Sequence, residues 1–314
     1  MKQKRKKNIV CVGESLIDFI GLQSGVKISE TKDYHRYLGG SPTNVAINLA
    51  RLGLNVKMIS TVGDDGFGSY AINRLEELGV ETSSIRRIKK IPTSIIFVSR
   101  SSGTPEFIPF READVHITES QIRTEILEEA GVFHTTCFAL SKNPARETIL
   151  IKAKEAYSLG CKLSIDINFS DKIWNDKEEA ISVLKEYCTY NPLVKVSEDD
   201  VQRLFGKEMP REELFHFFHE NNVDTVCLTL GKDGVVLSQK GQEPKKYKAI
   251  KVDTVVDATG AGDAFWSGFL YAYTEEKSMD ECIQMALKLA ALKLQNVGRL
   301  PYNIDILLEL SKIS

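Results

Sequence analysis

Short apolar runs alternate along this chain with stretches whose apolar residues recur every three or four positions. Runs of the first kind occupy 8–13, 56–62, 132–135, 162–167, 193–196 and 225–230. They are short and continuous rather than alternating, which predicts strands of a sheet buried on both faces. Stretches of the second kind predict a helix at 43–52, where Val45, Ala46, Leu49 and Leu52 share a face, and another at 68–78. Further helices are predicted at about 145–159, 176–187 and 198–205, and one beginning at Ala264, where Phe265, Phe269 and Tyr273 are spaced by four. This order predicts an α/β fold, a mainly parallel sheet covered by helices on both faces. Two segments, about 14–38 and 92–115, break the rhythm. Residues 93–100 and the turn chemistry at 101–105 predict a small β element that projects as a lid over a crevice. No linker, low-complexity tract or repeat divides the 314 residues, so 1–314 reads as a single domain.

Composition narrows the class. Hydrophobic content of 42%, charged content of 27% and a net charge of −2 fit a soluble enzyme with no global field for nucleic acid. The basic cluster from Lys2 to Lys7 reads as a solvated tail. No apolar run reaches the length of a membrane span, and no apolar signal core follows the basic residues, which together predict a cytoplasmic protein. The six cysteines form no C-x-x-C pair and read as reduced core thiols. His216 and His219 lie among Phe215, Phe217 and Phe218, a helix rather than a metal site.

The candidate chemistry sits in four places. In 253–265, Gly260 and Gly262 let backbone N–H groups approach an anion just before a helix, whose dipole favours the same charge. Asp263 at that junction adds negative charge, which makes sense if it removes a proton from a nucleophile attacking a phosphate. In Gly39-Gly-Ser-Pro-Thr-Asn44, Gly39 and Gly40 allow a tight turn, Pro42 suits a first helical turn with Ser41 as its cap, and Asn44 offers an amide suited to polyol hydroxyls. Asp18 follows a strand end, where ligands of open α/β sheets bind, and suits sugar hydroxyls. Thr229, Gly231 and Gly234 end another strand and are placed to lie against a nucleotide. Asp64 or Asp65 reads as a helix cap.

These two glycine motifs, in this order and separation, resemble the signatures of the ribokinase-like (PfkB) carbohydrate kinases over about residues 8–305. The resemblance implies a ribokinase-like fold and an ATP-dependent phosphotransferase using Mg2+. It implies Asp263 as catalytic base, Gly260, Ala261 and Gly262 as anion hole, and Asp18, Gly39, Gly40 and Asn44 as sugar-binding positions. Thr229, Gly231 and Gly234 would then bind ATP. Asp257 matches a position that in several members helps hold a monovalent cation such as K+. Ser197 and Asp200 stand where the family often has Asn and Glu near the metal-bound phosphates, so Asp200 is expected to act on Mg2+ indirectly. Asn168 belongs to an Asp-x-Asn motif with Ser170 where Arg is usual. Arg111 lies in a lid-side segment similar to that of fructokinases, and its planar fork suits a neutral ketose or a carboxylate.

The expected reaction is therefore transfer of the ATP γ-phosphate to a hydroxyl of a small sugar. Fructose ranks first, then 2-keto-3-deoxygluconate or 5-dehydro-2-deoxygluconate, then nucleosides. The rival of another class is a non-catalytic sugar- or nucleotide-binding regulator. A nicotinamide dehydrogenase and a P-loop NTPase lack their glycine fingerprints here. Pairing through the apolar lid residues Ile95, Ile96, Phe97 and Val98 is expected to give a homodimer.

Overall fold

The computed structural model describes residues 6–100, 106–296, 300–301 and 304–313. Most of the basic tail and the turn expected at 101–105 lie outside the described residues. The first third of the chain holds β1 (Asn8–Val12), β2 (Leu16–Ser24), β3 (Tyr34–Gly39), α1 (Ser41–Arg51), β4 (Val56–Gly63), α2 (Gly66–Glu77), β5 (Ile85–Ile88), β6 (Ile95–Arg100) and β7 (Phe107–Phe110). Then come α3 (Thr124–Glu129), β8 (Ala130–Thr136), α4 (Ala145–Ser158), β9 (Lys162–Ile167), α5 (Lys177–Cys188), β10 (Leu193–Ser197), α6 (Glu198–Phe205) and α7 (Arg211–Glu220). The last third holds β11 (Thr225–Thr229), β12 (Val235–Gln239), β13 (Lys245–Tyr247), α8 (Ala261–Thr274), α9 (Met279–Leu294) and α10 (Ile306–Ser311).

Nine strands form one sheet in the order β13-β12-β11-β10-β9-β8-β1-β4-β5. From β11 to β5 every pair is parallel, and β12 and β13 add an antiparallel edge. β1 shows why both faces had to be covered. Val10 and Val12 enter the core on one face, while Ile9 and Cys11 enter the core on the other. A strand with no polar face has nowhere to meet water. β5 and β13 escaped the reading of apolar runs because Ile-Arg-Arg-Ile and Lys-Lys-Tyr carry the charges of sheet edges, whereas β12, Val-Val-Leu-Ser-Gln, is an interior apolar strand that was simply not singled out.

The segments expected to break the rhythm supply a second sheet, β3-β2-β6-β7. Its one face gathers Phe19, Phe97, Phe110 and Tyr34, with Phe19 and Phe97 stacked at 5.2 Å. Asp65 ties this sheet to the main one. It caps α2 by accepting from Gly68 N–H at 2.8 Å, and it also accepts the Thr93 N–H and hydroxyl, each at 2.8 Å. Burial works against its charge, yet these donors hold the carboxyl below its ordinary range.

Helix α1 begins two residues earlier than its periodicity suggests. Its N-cap is Gly40 at φ 104°, and Ser41 lies inside the helix and caps nothing. The glycine makes the turn, which frees the serine hydroxyl for another partner.

Candidate active site

The carboxyl ends of the parallel strands point to one edge of the main sheet, where α1 and α8 meet. Those helices are locked together by Asn48, whose amide donates to Ser267 Oγ at 3.3 Å, while Ser267 Oγ donates to the Asp263 carbonyl at 2.6 Å. Trp266, fully buried, anchors α8 to β9 through Ser164 Oγ at 2.9 Å. The start of α8 is thereby fixed against the sheet.

Asp263 occupies the first turn of α8. Ser41 Oγ donates to its Oδ1 at 2.6 Å and Asn44 Nδ2 to its Oδ2 at 2.8 Å, a contact across 219 residues of sequence. Burial pushes its carboxyl above the ordinary value, opposed by those two donors and by the Lys195 and Lys293 cations. Gly260 takes φ 74°, a left-handed turn that glycine adopts without strain. The Ala261 N–H turns back to the Ala258 carbonyl at 3.1 Å. The Gly262 and Asp263 amides have no partner inside the helix, because first-turn N–H groups never do. A Cβ on Gly262 would sit 2.9 Å from Lys195 Nζ, so glycine lets a buried cation approach the loop from below. Lys195 bridges both Asp166 oxygens at 2.9 Å.

Asp18, Gly39 and Gly40 gather beside this point. A Cβ on Gly39 would meet Asp18 Oδ2 at 2.1 Å, and one on Gly40 would meet the Glu14 carbonyl oxygen at 2.2 Å. The glycine pair is therefore a requirement of close packing between β2, β3 and the end of β1. Asn168, just past β9, accepts the Phe138 N–H at 3.0 Å. Arg111 lies over the Phe138 ring at 4.1 Å, but its fork is engaged: Nε and Nη2 donate to Asp114 Oδ2 at 2.9 and 2.5 Å, and Nη1 to Ser141 Oγ and the Phe138 carbonyl. Both partners of this pair are buried.

The other half of the edge carries the residues read for ATP. Ser197 caps α6, accepting Asp200 N–H at 3.1 Å while its hydroxyl donates to Asp200 Oδ2 at 2.5 Å. Burial pushes the Asp200 carboxyl up to about 6, opposed by Lys195 and Ser197. Its Oδ1 accepts from Arg203 at 3.1 Å. A hard carboxylate oxygen fits Mg2+, and both oxygens already have protein partners, which suits contact through bound water. Thr229 ends β11, and Gly231 follows at φ 55° with open space where a Cβ would point. Gly234 differs from Gly231: at φ 96° a Cβ would lie 2.0 Å from the Tyr247 carbonyl oxygen, so backbone packing between β12 and β13 accounts for this glycine.

Asp257 lies behind the glycine loop. The Thr259 N–H donates to its Oδ1 at 2.9 Å. Lys293, on α9, donates to the Asp257 carbonyl and to the Asn296 carbonyl, each at 3.0 Å, and its Nζ is 3.9 Å from Asp257 Oδ2.

Ser41, Glu14, Lys195 and Lys293 had no catalytic or binding role read from sequence. Ser41 was read as a cap. Glu14 was read only as part of the stretch leading to Asp18, although it accepts the Ser41 N–H at 3.0 Å and the Thr136 hydroxyl at 3.0 Å. Lys195 and Lys293 each interrupt an apolar run, Val194 to Val196 and Leu292 to Leu294. A lysine embedded in such a run is a signal of a buried partner.

The model of the pfkB family carbohydrate kinases matches residues 6–302. An ATP-dependent 6-phosphofructokinase of Thermoanaerobacterium thermosaccharolyticum is 34% identical, over 94% of this chain and 90% of its own length. A fructokinase structure from Halothermothrix orenii superposes with a TM-score of 0.78 at 33% identity, covering 89% of this chain and 97% of its own. A sugar kinase structure from Pyrococcus horikoshii in complex with ATP superposes with a TM-score of 0.82 at 29% identity, covering 96% and 99%.

Proposed function

The chain belongs to the pfkB family of carbohydrate kinases, phosphotransferases with an alcohol acceptor and a ribokinase-like α/β fold; from that premise we propose that its acceptor is fructose or a related ketose. The observation that carries phosphoryl transfer to a hydroxyl is Asp263, and the choice of acceptor rests on Arg111. A carboxylate raised by burial stands at a helix start and is held from α1 by Ser41 and Asn44.

In the proposed reaction the sugar hydroxyl replaces one of those donors on Asp263. Its proton passes to the carboxylate as its oxygen forms a bond to the γ-phosphorus of ATP. The bond from that phosphorus to the β–γ bridging oxygen breaks, and ADP leaves with the electron pair. A raised carboxyl is the better base near neutral pH. The Gly260–Gly262 turn meets the charge spread over the transferred group, with Lys195 reinforcing it from below. Asp200 would hold a water of the Mg2+ that accompanies ATP, and that ion would supply neutralisation of phosphate charge. Thr229 and Gly231 line the nucleotide side. Asp18 and Asn44 hold the sugar, and the small sheet closes over it to exclude water.

Arg111 supports a neutral acceptor. Its charge is already balanced by the buried Asp114, so it has little to offer the carboxylate of a keto-deoxy sugar acid. The phosphofructokinase relative supplies the competing acceptor, fructose 6-phosphate. ADP release is measured with fructose, fructose 6-phosphate, 2-keto-3-deoxygluconate and adenosine as separate acceptors. Highest kcat/KM on fructose is the expected result. Preference for fructose 6-phosphate refutes the assignment of an unphosphorylated sugar but keeps the kinase, and binding without ADP release from any acceptor would mark a regulator. We further propose a cytoplasmic homodimer joined through the small sheet, where Leu22, Ile108 and Phe110 are exposed.

A further inference from the structure

Lys293 is charged by nature yet almost completely buried, with 2% of its surface exposed. Its stem runs along α9 and its ammonium reaches the rear of the glycine loop. There it meets the Asp257 carbonyl at 3.0 Å, the Asn296 carbonyl at 3.0 Å and the Asp257 carboxylate at 3.9 Å. Carbonyl and carboxylate oxygens converging on one point form the donor set of a hard monovalent cation. Here an ammonium occupies that donor set. The loop is also stitched to the end of α9 by the Val256 N–H, which donates to the Leu294 carbonyl at 2.8 Å. Lys293 thus sits where the chain leading to Gly260 crosses the chain leaving α9.

A potassium ion behind the loop does not fit this arrangement. It would need the oxygens that Lys293 already holds, and two cations would then share one site with, among the described residues, the Asp257 carboxylate between them. Lysine brings its charge on a tether, so no dissociable ion is needed to neutralise Asp257 or to satisfy the loop carbonyls. The positive charge also acts on Asp263, at the other end of the same loop.

We propose that the Lys293 ammonium takes the place of a monovalent metal cation behind the anion hole, so that this chain's phosphoryl transfer proceeds without K+. Lys293 is a positioning residue: it touches neither sugar nor ATP and acts by holding Asp257 and the Gly260–Gly262 turn. The inference rests on the kinase reading, and its test separates the two.

The wild-type protein and two variants, Lys293→Ala and Lys293→Met, are prepared free of K+ and NH4+. Turnover and melting temperature are followed while KCl replaces tetramethylammonium chloride at constant ionic strength. Wild-type turnover and melting temperature are expected to be indifferent to the exchange. Lys293→Ala is expected to lose about 10–100-fold in kcat, the usual effect of removing a group that orients a site from behind. It should regain part of that loss in K+ or NH4+, and its melting temperature should rise with K+. Lys293→Met fills the space with apolar atoms and should lose activity without rescue. A wild-type enzyme that needs K+ for turnover overturns the proposal, and so does full K+-free turnover in both variants. Should neither variant fold, the wild-type titration decides alone. Should no sugar be phosphorylated in any salt, the kinase reading fails, and a K+-dependent rise in the wild-type melting temperature still refutes the cation replacement.

Discussion

Glu14→Gln isolates the energetic cost of a carboxyl buried beneath the site. Glu14 is 2% exposed, and its two oxygens accept from the Ser41 amide and the Thr136 hydroxyl. Burial is the main cause that pushes its pKa from 4.5 to about 8, opposed by the Arg111 charge and aided by that of Asp114. A raised carboxyl favours folding only while it is protonated. Below about pH 4.5 both states hold the proton and the full stability is present. Between there and about pH 8 the native state keeps a proton that the unfolded chain has released, so stability falls as pH rises, by up to about 1.4 kcal/mol per unit. Across the whole shift the loss amounts to about 4–5 kcal/mol. Glutamine has the same shape and still accepts the Ser41 N–H, but it does not titrate. Urea denaturation of both proteins from about pH 5 to about pH 8 should therefore diverge: similar stability at the acid end, and a growing advantage for Glu14→Gln toward the alkaline end. A constant offset between the two proteins across that range would refute the reasoning, because it would mean that Glu14 is ionised in the native state throughout.

Asp263→Asn should cut kcat by about 10²–10⁴-fold, the usual contribution of a positioned general base, while calorimetric binding of ATP and sugar changes little; near-wild-type turnover would remove Asp263 from the chemistry. Gly40→Ala combines φ 104° with a Cβ 2.2 Å from the Glu14 carbonyl oxygen, and urea denaturation should show a loss of about 1–3 kcal/mol or more. Gly66→Ala has open space and an ordinary φ, so the same measurement should stay within about 0.5 kcal/mol; equal losses at the two glycines would show that the clash is not the cause.

Much of the parallel sheet was legible because most of its strands are short, predominantly apolar runs, and such a run has few other folded states open to it. The junction at Asp263 was legible because glycine conformations and helix starts are set by neighbours in the chain. The edge strands were not, since their charges resemble those of loops until a neighbouring strand gives them hydrogen-bond partners. Charged pairs were the least legible. Arg111 looked like a free fork for a substrate, and Asp114 three residues away turned out to hold it. Lys195 and Lys293 announced burial by their apolar flanks but not what they were buried against.

The sequence by itself determined the alternation of strand and helix, the two glycine motifs and the aspartate between loop and helix, and through them the family and the reaction type. All of these depend on contacts within a few residues. Only the tertiary structure decided that Ser41 and Asn44 hold Asp263, that Glu14 braces Ser41 from beneath, and that Lys293 fills the space behind the loop. Those decisions belong to folding because a buried charge or hydroxyl takes its partner from whatever the packing brings within about 3 Å. For Asp263 and Asn44 that partner is 219 residues away in the chain.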